Sequence, residues 1–196
     1  MGGNIAMHKF DPRHVERLLS EERFKNISPE SILRKAGLKE GDTMADIGSG
    51  PGFFSMPAAE IVGSSGRVFA VDTQEEMLEY FKDNRVPPQN VELLLSGEYS
   101  IPIADSDADF SLMAYVLHEA ERKDLFLDEI KRITRPGGTI LVIDWKKRRE
   151  EHGPPVGERL SEEEAAGLLE KAGFVGMDIS SMNESHYRIL AKRPRP

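Results

Sequence analysis

Five short, nearly continuous apolar runs, at residues 44–47, 68–71, 91–95, 110–117 and 140–143, recur along the chain with helical patterns between them. A strand that is apolar on both faces must be covered on both, as happens where helices pack on either side of a parallel sheet. The intervening stretches carry helix start and stop signals. Residues 10–19 read as a turn and a short helix, and Ser28 then precedes Pro29 in a stretch that closes at Gly37. This is the order N-cap, first-turn proline, C-terminal glycine. Thr73 with Glu76, and Ser161 with Glu164, have capping-box spacing, which predicts a helix after each. Over 123–134, Phe126, Ile130 and Ile133 share one face. Pro136-Gly137-Gly138 is expected to end that helix. Two last strands, 175–179 and 187–191, flank a polar turn at Asn183 and Glu184 and predict a hairpin at one sheet edge. The expected fold is α/β: a doubly wound, seven-stranded, mainly parallel sheet with a C-terminal antiparallel hairpin. A chain of 196 residues suits one core. Residues 1–196 are therefore expected to be a single domain, with a helical N-terminal segment over 1–40 and the α/β core over 41–196.

Charge and cysteine content narrow the function classes. A formal net charge of -8 argues against a grip on nucleic acid, which rests on clustered Lys and Arg against phosphates. The absence of Cys excludes disulfides, thiolate zinc sites and cysteine nucleophiles in this chain, and fits a reducing compartment; the cytoplasm is expected. No apolar run approaches the roughly 20 residues that span a bilayer, and the start MGGNIAMHKF lacks a secretory apolar core. A soluble protein without a membrane partner is expected. Histidines at 8, 14, 118, 152 and 186 show no paired helical spacing, so no metal is expected.

The most informative stretch is Asp46-Ile47-Gly48-Ser49-Gly50-Pro51-Gly52, where the first strand must turn into the next helix. Glycines permit positive φ and leave no Cβ to hold a ligand off the backbone, and in such sheets ligands sit outside the carboxyl ends of the strands. A dinucleotide fingerprint would place its third glycine at position 53, but Phe53 stands there. A phosphate-cradling loop would continue Gly-Lys-Ser or Gly-Lys-Thr, and Gly52-Phe53-Phe54-Ser55 offers no lysine. The second strand ends on Asp72, 20 residues after Gly52; a carboxylate there can accept both hydroxyls of a bound ribose. Helix capping is the alternative role, for which Thr73 is better placed.

The order DIGSGPG, then VFAVD, then Ser96-Gly97-Glu98 after the third strand resembles the class I S-adenosylmethionine-dependent methyltransferases. Within them the chain looks most like small methyltransferases related to the ubiquinone and menaquinone biosynthesis group. The resemblance spans roughly residues 10–193 and implies a Rossmann-like methyltransferase fold with S-adenosylmethionine as cofactor. It implies that Asp46, Gly48, Gly50 and Gly52 line the methionine half, that Asp72 serves the ribose and Glu98 the adenine amino group, with Thr73 and Gly97 also among the cofactor-binding residues. Many relatives carry Asp where Glu98 stands. Met77 either packs on the adenine or belongs to the core.

Methyl transfer from a sulfonium is an in-line displacement that needs alignment, and a proton acceptor when the nucleophile is neutral. Past the fourth strand, Tyr115-Val116-Leu117-His118-Glu119 opens toward the cofactor mouth. His118 is the first candidate for a general base or acceptor contact; the alternative is that it anchors the next helix through a backbone bond, with Glu119 an early-helix acid. Tyr115 either flanks the sulfonium or packs in the core. Asp144, Trp145 and Lys146 follow the fifth strand and can line the acceptor opening. Residues 146–151 read as a solvated loop or as a lid over an anionic acceptor, and the N-terminal segment with His8, Phe10 and His14 as a lid over the cofactor. The Asn-Pro-Pro-aromatic loop of relatives that modify exocyclic amino groups is absent, and relatives that methylate arsenic depend on cysteines this chain lacks. The expected function is methyl transfer to a small-molecule acceptor. The alternatives are a non-catalytic S-adenosylmethionine-binding or interaction protein, and a nicotinamide-dependent oxidoreductase.

Overall fold

In the computed structural model, which describes residues 12–20 and 27–196, seven strands form one sheet in the order β3-β2-β1-β4-β5-β7-β6. The strands are β1 (Thr43–Ile47), β2 (Arg67–Asp72), β3 (Val91–Leu95), β4 (Ala108–Ala114), β5 (Thr134–Trp145), β6 (Val175–Ser181) and β7 (His186–Lys192). The first five pair in parallel, and β7 runs antiparallel between β5 and β6. This is the expected seven-stranded architecture with its closing hairpin. The strand order reverses between β1 and β4, and the crevice outside the carboxyl ends at such a point is where open α/β sheets bind ligands.

Five α-helices cover the sheet: α1 (Pro29–Lys35), α2 (Ser55–Val62), α3 (Glu75–Arg85), α4 (Lys123–Ile133) and α5 (Glu162–Lys171), with a short 3₁₀ helix at Pro12–Leu19. Alternate side chains of each strand feed two apolar cores. One face packs Ile47, Val71 and Val142 with Phe126 and Ile130 of α4 and Leu169 of α5. The other packs Met44, Val68 and Leu112 with Leu33 of α1 and Ile61 and Val62 of α2. The inner strands β1, β2, β4 and β5 are therefore buried on both sides, as their continuous apolar runs require. By contrast β3, expected to be covered in the same way, lies at the sheet edge and is only partly buried, with Leu95 51% exposed. Among the described residues, no helix is long and apolar enough to cross a membrane.

Several local expectations are corrected. The fourth apolar run ends as a strand at Ala114 rather than continuing to 117, because Tyr115 takes φ 64 and turns the chain; a left-handed bulky residue cannot continue a strand. Pro136-Gly137-Gly138 does not end α4. That helix stops at Ile133, the Thr134 hydroxyl donates to the Ile130 carbonyl at 2.7 Å, and the glycines fall inside β5 at its irregular start. The Thr73–Glu76 capping box does not form: Gln74 is the N-cap of α3, and Asp72 Oδ1 accepts the Gln74 N–H at 2.9 Å. Ser28 occupies its N-cap without a side-chain bond, whereas the Ser161–Glu164 box is present in both directions.

Candidate functional site

The carboxyl end of β1 continues directly into the glycine loop. The N–H groups of Gly48 and Ser49 both donate to the Val71 carbonyl, at 2.8 and 2.9 Å, which stitches the loop to the end of β2. Gly48, Gly50 and Gly52 all have positive φ, at 70°, 52° and 81°, so the turn itself demands glycine. Their missing Cβ atoms serve different ends. A Cβ at Gly48 would meet Val116 Cγ2 at 2.3 Å, and one at Gly52 would meet the Phe81 ring at 2.3 Å. These two glycines admit side chains from the β4 turn and from α3. At Gly50 the nearest atom is Leu18 Cδ1 at 3.7 Å. Among the described residues, Gly50 is thus the one of the three whose bare backbone has only Leu18 of the 3₁₀ helix against it.

Two carboxylates close the loop. Asp72, at the end of β2, accepts the Gly50 N–H with Oδ2 at 2.8 Å and the Gln74 N–H with Oδ1 at 2.9 Å. Asp46, 2% exposed, accepts the Ser55 hydroxyl at 2.6 Å. Burial pushes the Asp46 carboxyl up to about 7; the Ser55 hydroxyl pulls against this and the nearby Asp72 charge adds to it. A positive group beside Asp46 would reverse that shift.

The raised value sets a pH dependence of stability. The unfolded carboxyl ionises at 3.8 and the folded one near 7, so between them the folded state holds the proton more tightly. Asp46 therefore costs nothing below 3.8, erodes stability as pH rises, and costs a constant amount above about 7. Asp46→Asn keeps an acceptor for Ser55 and removes the charge. Its gain in melting temperature over wild type should be small near pH 3.8 and largest above pH 7. A gain that does not grow across this interval would mean that Asp46 ionises normally.

The other expected cofactor residues follow the carboxyl ends of β2 and β3. Thr73 is exposed and Met77 buried; Met77 belongs to neither of the two sheet-face cores. Gly97 forms an isolated bridge with Ser100, and Glu98 Oε1 accepts the Tyr99 hydroxyl at 2.7 Å and the Glu121 N–H at 2.9 Å. Glu98 thereby ties the turn after β3 to the turn after β4.

Past β4 the chain builds a second constellation. His118 is 3% exposed, and its Nδ1 lies 2.7 Å from Oδ1 of Asp144, the buried next-to-last residue of β5. The ring is therefore held by a carboxylate, not by the backbone bond considered as its structural role. Burial alone would lower the His118 pKa; the hydrogen bond and charge of Asp144 outweigh it, and the net shift is upward. On the opposite side of β5, Tyr115, Trp145 and His186 pack as one aromatic group, with centroid separations of 4.4–5.8 Å.

The segment after β5 is more ordered than a solvated loop. Arg159, 2% exposed, donates to the carbonyls of Lys146, Arg148, His152 and Pro154 and pairs with Glu150, while its guanidinium lies 5.0 Å from the Trp145 ring centroid. Sequence reasoning passed over Arg159 because a lone arginine in a charged run carries no spacing signal. The expectations for His8 and Phe10 lie outside the described residues, as does the His14 side chain.

Comparison with known proteins agrees with this layout. The pattern of the family described as "Methyltransferase domain" matches residues 45–142, from the first strand to the fifth. The crystal structure of a SAM dependent methyltransferase from Aquifex aeolicus superposes with a TM-score of 0.89 at 38% identity, covering 94% of this chain and 100% of that one. Among curated proteins, an arsenite methyltransferase of Halobacterium salinarum is 28% identical over 76% of this chain and 41% of its own length. A ubiquinone/menaquinone biosynthesis C-methyltransferase of Hahella chejuensis is 29% identical over 59% of this chain and 47% of its own length. The chain thus spans about half the length of these two curated relatives.

Proposed function

The chain belongs to the methyltransferase domain family, and we propose that it transfers the methyl group of S-adenosylmethionine to a small-molecule acceptor by in-line displacement. The observation that carries this reading is the pair of carboxylates, Asp46 and Asp72, set around a glycine loop at the reversal point of the sheet. The residues fit the cofactor. Asp46 is a buried acid that a cationic neighbour would relieve, Asp72 can trade its backbone partners for ribose hydroxyls, and Gly50 permits close approach. Gly48 and Gly52 shape the loop around the methionine half, and Asp72 with Thr73 receives the ribose. Met77, Gly97 and Glu98 form the adenine end. When bound, S-adenosylmethionine supplies an electrophilic methyl carbon on a sulfonium.

On the acceptor side, His118 takes the proton of a neutral nucleophile and Tyr115 presents its ring beside the reacting centre, backed by Trp145 and His186. The ordered 146–160 segment borders the acceptor opening. Leu18 against Gly50 supports a lid role for the N-terminal segment. The likeness to an arsenite methyltransferase does not carry its substrate over, because a chain without cysteine has no thiolate for a soft metalloid. A small metabolite in the cytoplasm is the setting this reading expects, with no nucleic acid or membrane partner.

Calorimetric titration tests the cofactor assignment. S-adenosylmethionine and its demethylated product should both bind, and NAD should not, since the loop has neither the dinucleotide glycine spacing nor a phosphate partner. Tighter binding of NAD than of either methionine nucleoside would overturn the assignment.

A further inference from the structure

Asp144 is buried at 0% exposure, yet among the described residues only one of its oxygens finds a partner. Oδ1 takes two contacts, the Trp145 N–H at 2.8 Å and His118 Nδ1 at 2.7 Å, while Oδ2 has no hydrogen-bond partner among the described residues. Tyr187 stands opposite Asp144 in the β5–β7 register, fully buried, and its hydroxyl also lacks a partner among the described residues. A carboxylate enclosed in this way is costly unless something nearby offsets its charge. The group best placed to do so is the imidazole of His118.

We propose that Asp144 is the positioning residue of the acceptor site: its carboxylate holds His118 with the proton on Nδ1, so that Nε2 is presented as the proton acceptor. The inference rests on the reading of His118 as the base and adds the reason why that ring, in that orientation, can act. Oδ1 already accepts from a backbone N–H, so an ionised Asp144 can only accept from Nδ1, which must then carry the proton. Nε2 makes no hydrogen bond among the described residues. In the transfer step the acceptor's O–H or N–H proton moves to Nε2. The electron pair left on the acceptor atom forms the bond to the methyl carbon, and the pair of the broken S–C bond stays on sulfur. The resulting imidazolium lies against the Asp144 carboxylate. The acceptor is accordingly a hydroxyl or amine that arrives protonated, rather than a ready-made anion.

The other charged groups facing His118 are Glu119 in its own turn and Lys123 at the start of α4. Lys123 also faces Asp144 and Glu98, and it is tied to the carbonyls of His118 and Ala120. On the far side of Asp144, burial and the carboxylate hold the Tyr187 phenol protonated. Of the groups facing His118, only Asp144 touches its ring through a hydrogen bond among the described residues. Replacing that carboxylate should therefore move the titration of His118 down.

Two measurements test this. In the wild-type protein, ring nitrogen resonances at pH above the His118 transition should show Nδ1 protonated and Nε2 bare; the opposite tautomer overturns the proposal, and no variant is needed. Asp144→Asn is then compared with wild type, using radiolabelled S-adenosylmethionine and a small-molecule cell extract as acceptor. The expected result is transfer slower by about tenfold or more, at unchanged S-adenosylmethionine affinity, with the inflection of the pH–rate profile at lower pH. An unchanged rate and profile in Asp144→Asn, beside a damaged His118→Asn, overturns the positioning role and leaves the base. Full turnover in His118→Asn overturns both.

Discussion

His118→Asn is expected to slow methyl transfer by about 10²–10⁴-fold, the usual contribution of a positioned general base, while S-adenosylmethionine affinity stays within about 0.5 kcal/mol. The choice of Asn matters. Its side-chain N–H can occupy the place of Nδ1 and keep the bond to Asp144 Oδ1, now 2.7 Å long, but it brings no basic nitrogen to the position of Nε2. His118→Ala removes both, stranding a buried carboxylate, and should in addition cost about 3 kcal/mol of stability. Denaturant unfolding separates that loss from the loss of turnover. If both variants turn over at the wild-type rate, His118 is a structural residue, and Tyr115 and Glu119 become the candidates for the acceptor proton.

The pH dependence of the two effects has opposite sign. The folded pKa of His118 is raised, so the stability gained from the His118–Asp144 pair is full below the ordinary imidazole value of 6.5 and is lost as pH rises through the folded value. Proton abstraction needs the neutral ring and so increases over that same rise. The conditions that most stabilise the pair are those in which it cannot act as a base. Wild type should show this divergence, and His118→Asn should lose it.

What could be read before the fold was known follows from how local each feature is. Continuous apolar runs report strands directly, so the strands and their parallel pairing were legible within a few residues. The run at 91–95 could not show that β3 would lie at the sheet edge and stay partly exposed, because position in the sheet is set by the other strands. The glycine loop and Asp72 were legible because a strand-to-helix turn and the next strand's end lie at a fixed distance along the chain. The Asp144–His118 pair was not, because the partners are 26 residues apart and meet only when β5 lies beside β4. Tyr115 sits within an apolar run that continues to 117, so nothing local marked its left-handed φ, which turns the chain and leaves Val116 beside Gly48. Thr73 read as a cap from spacing alone, and the prior claim of Asp72 on the Gln74 N–H decides otherwise.

That same claim makes Asp72 a double-duty residue, and substitutions there should separate its two roles. Its oxygens hold the N–H groups of Gly50 and Gln74, at 2.8 and 2.9 Å, tying the glycine loop after β1 to the turn after β2. Asp72→Ala releases both and removes the ribose acceptor, and should weaken S-adenosylmethionine binding by about 1–3 kcal/mol, the range for hydrogen bonds to a charged group. Some of that loss would come from a loosened glycine loop rather than from the missing contact, and Ala alone cannot divide the two. Asp72→Asn keeps one acceptor oxygen, which can serve Gly50 or Gln74 but not both, and loses the charge that lets one carboxylate take two ribose hydroxyls. The expected pattern is a stability for Asn between those of wild type and Ala, with affinity reduced in both. Calorimetric binding and denaturant unfolding of the two variants give this comparison. Full affinity in Asp72→Asn would show that the carboxylate holds the loop and does not receive the ribose.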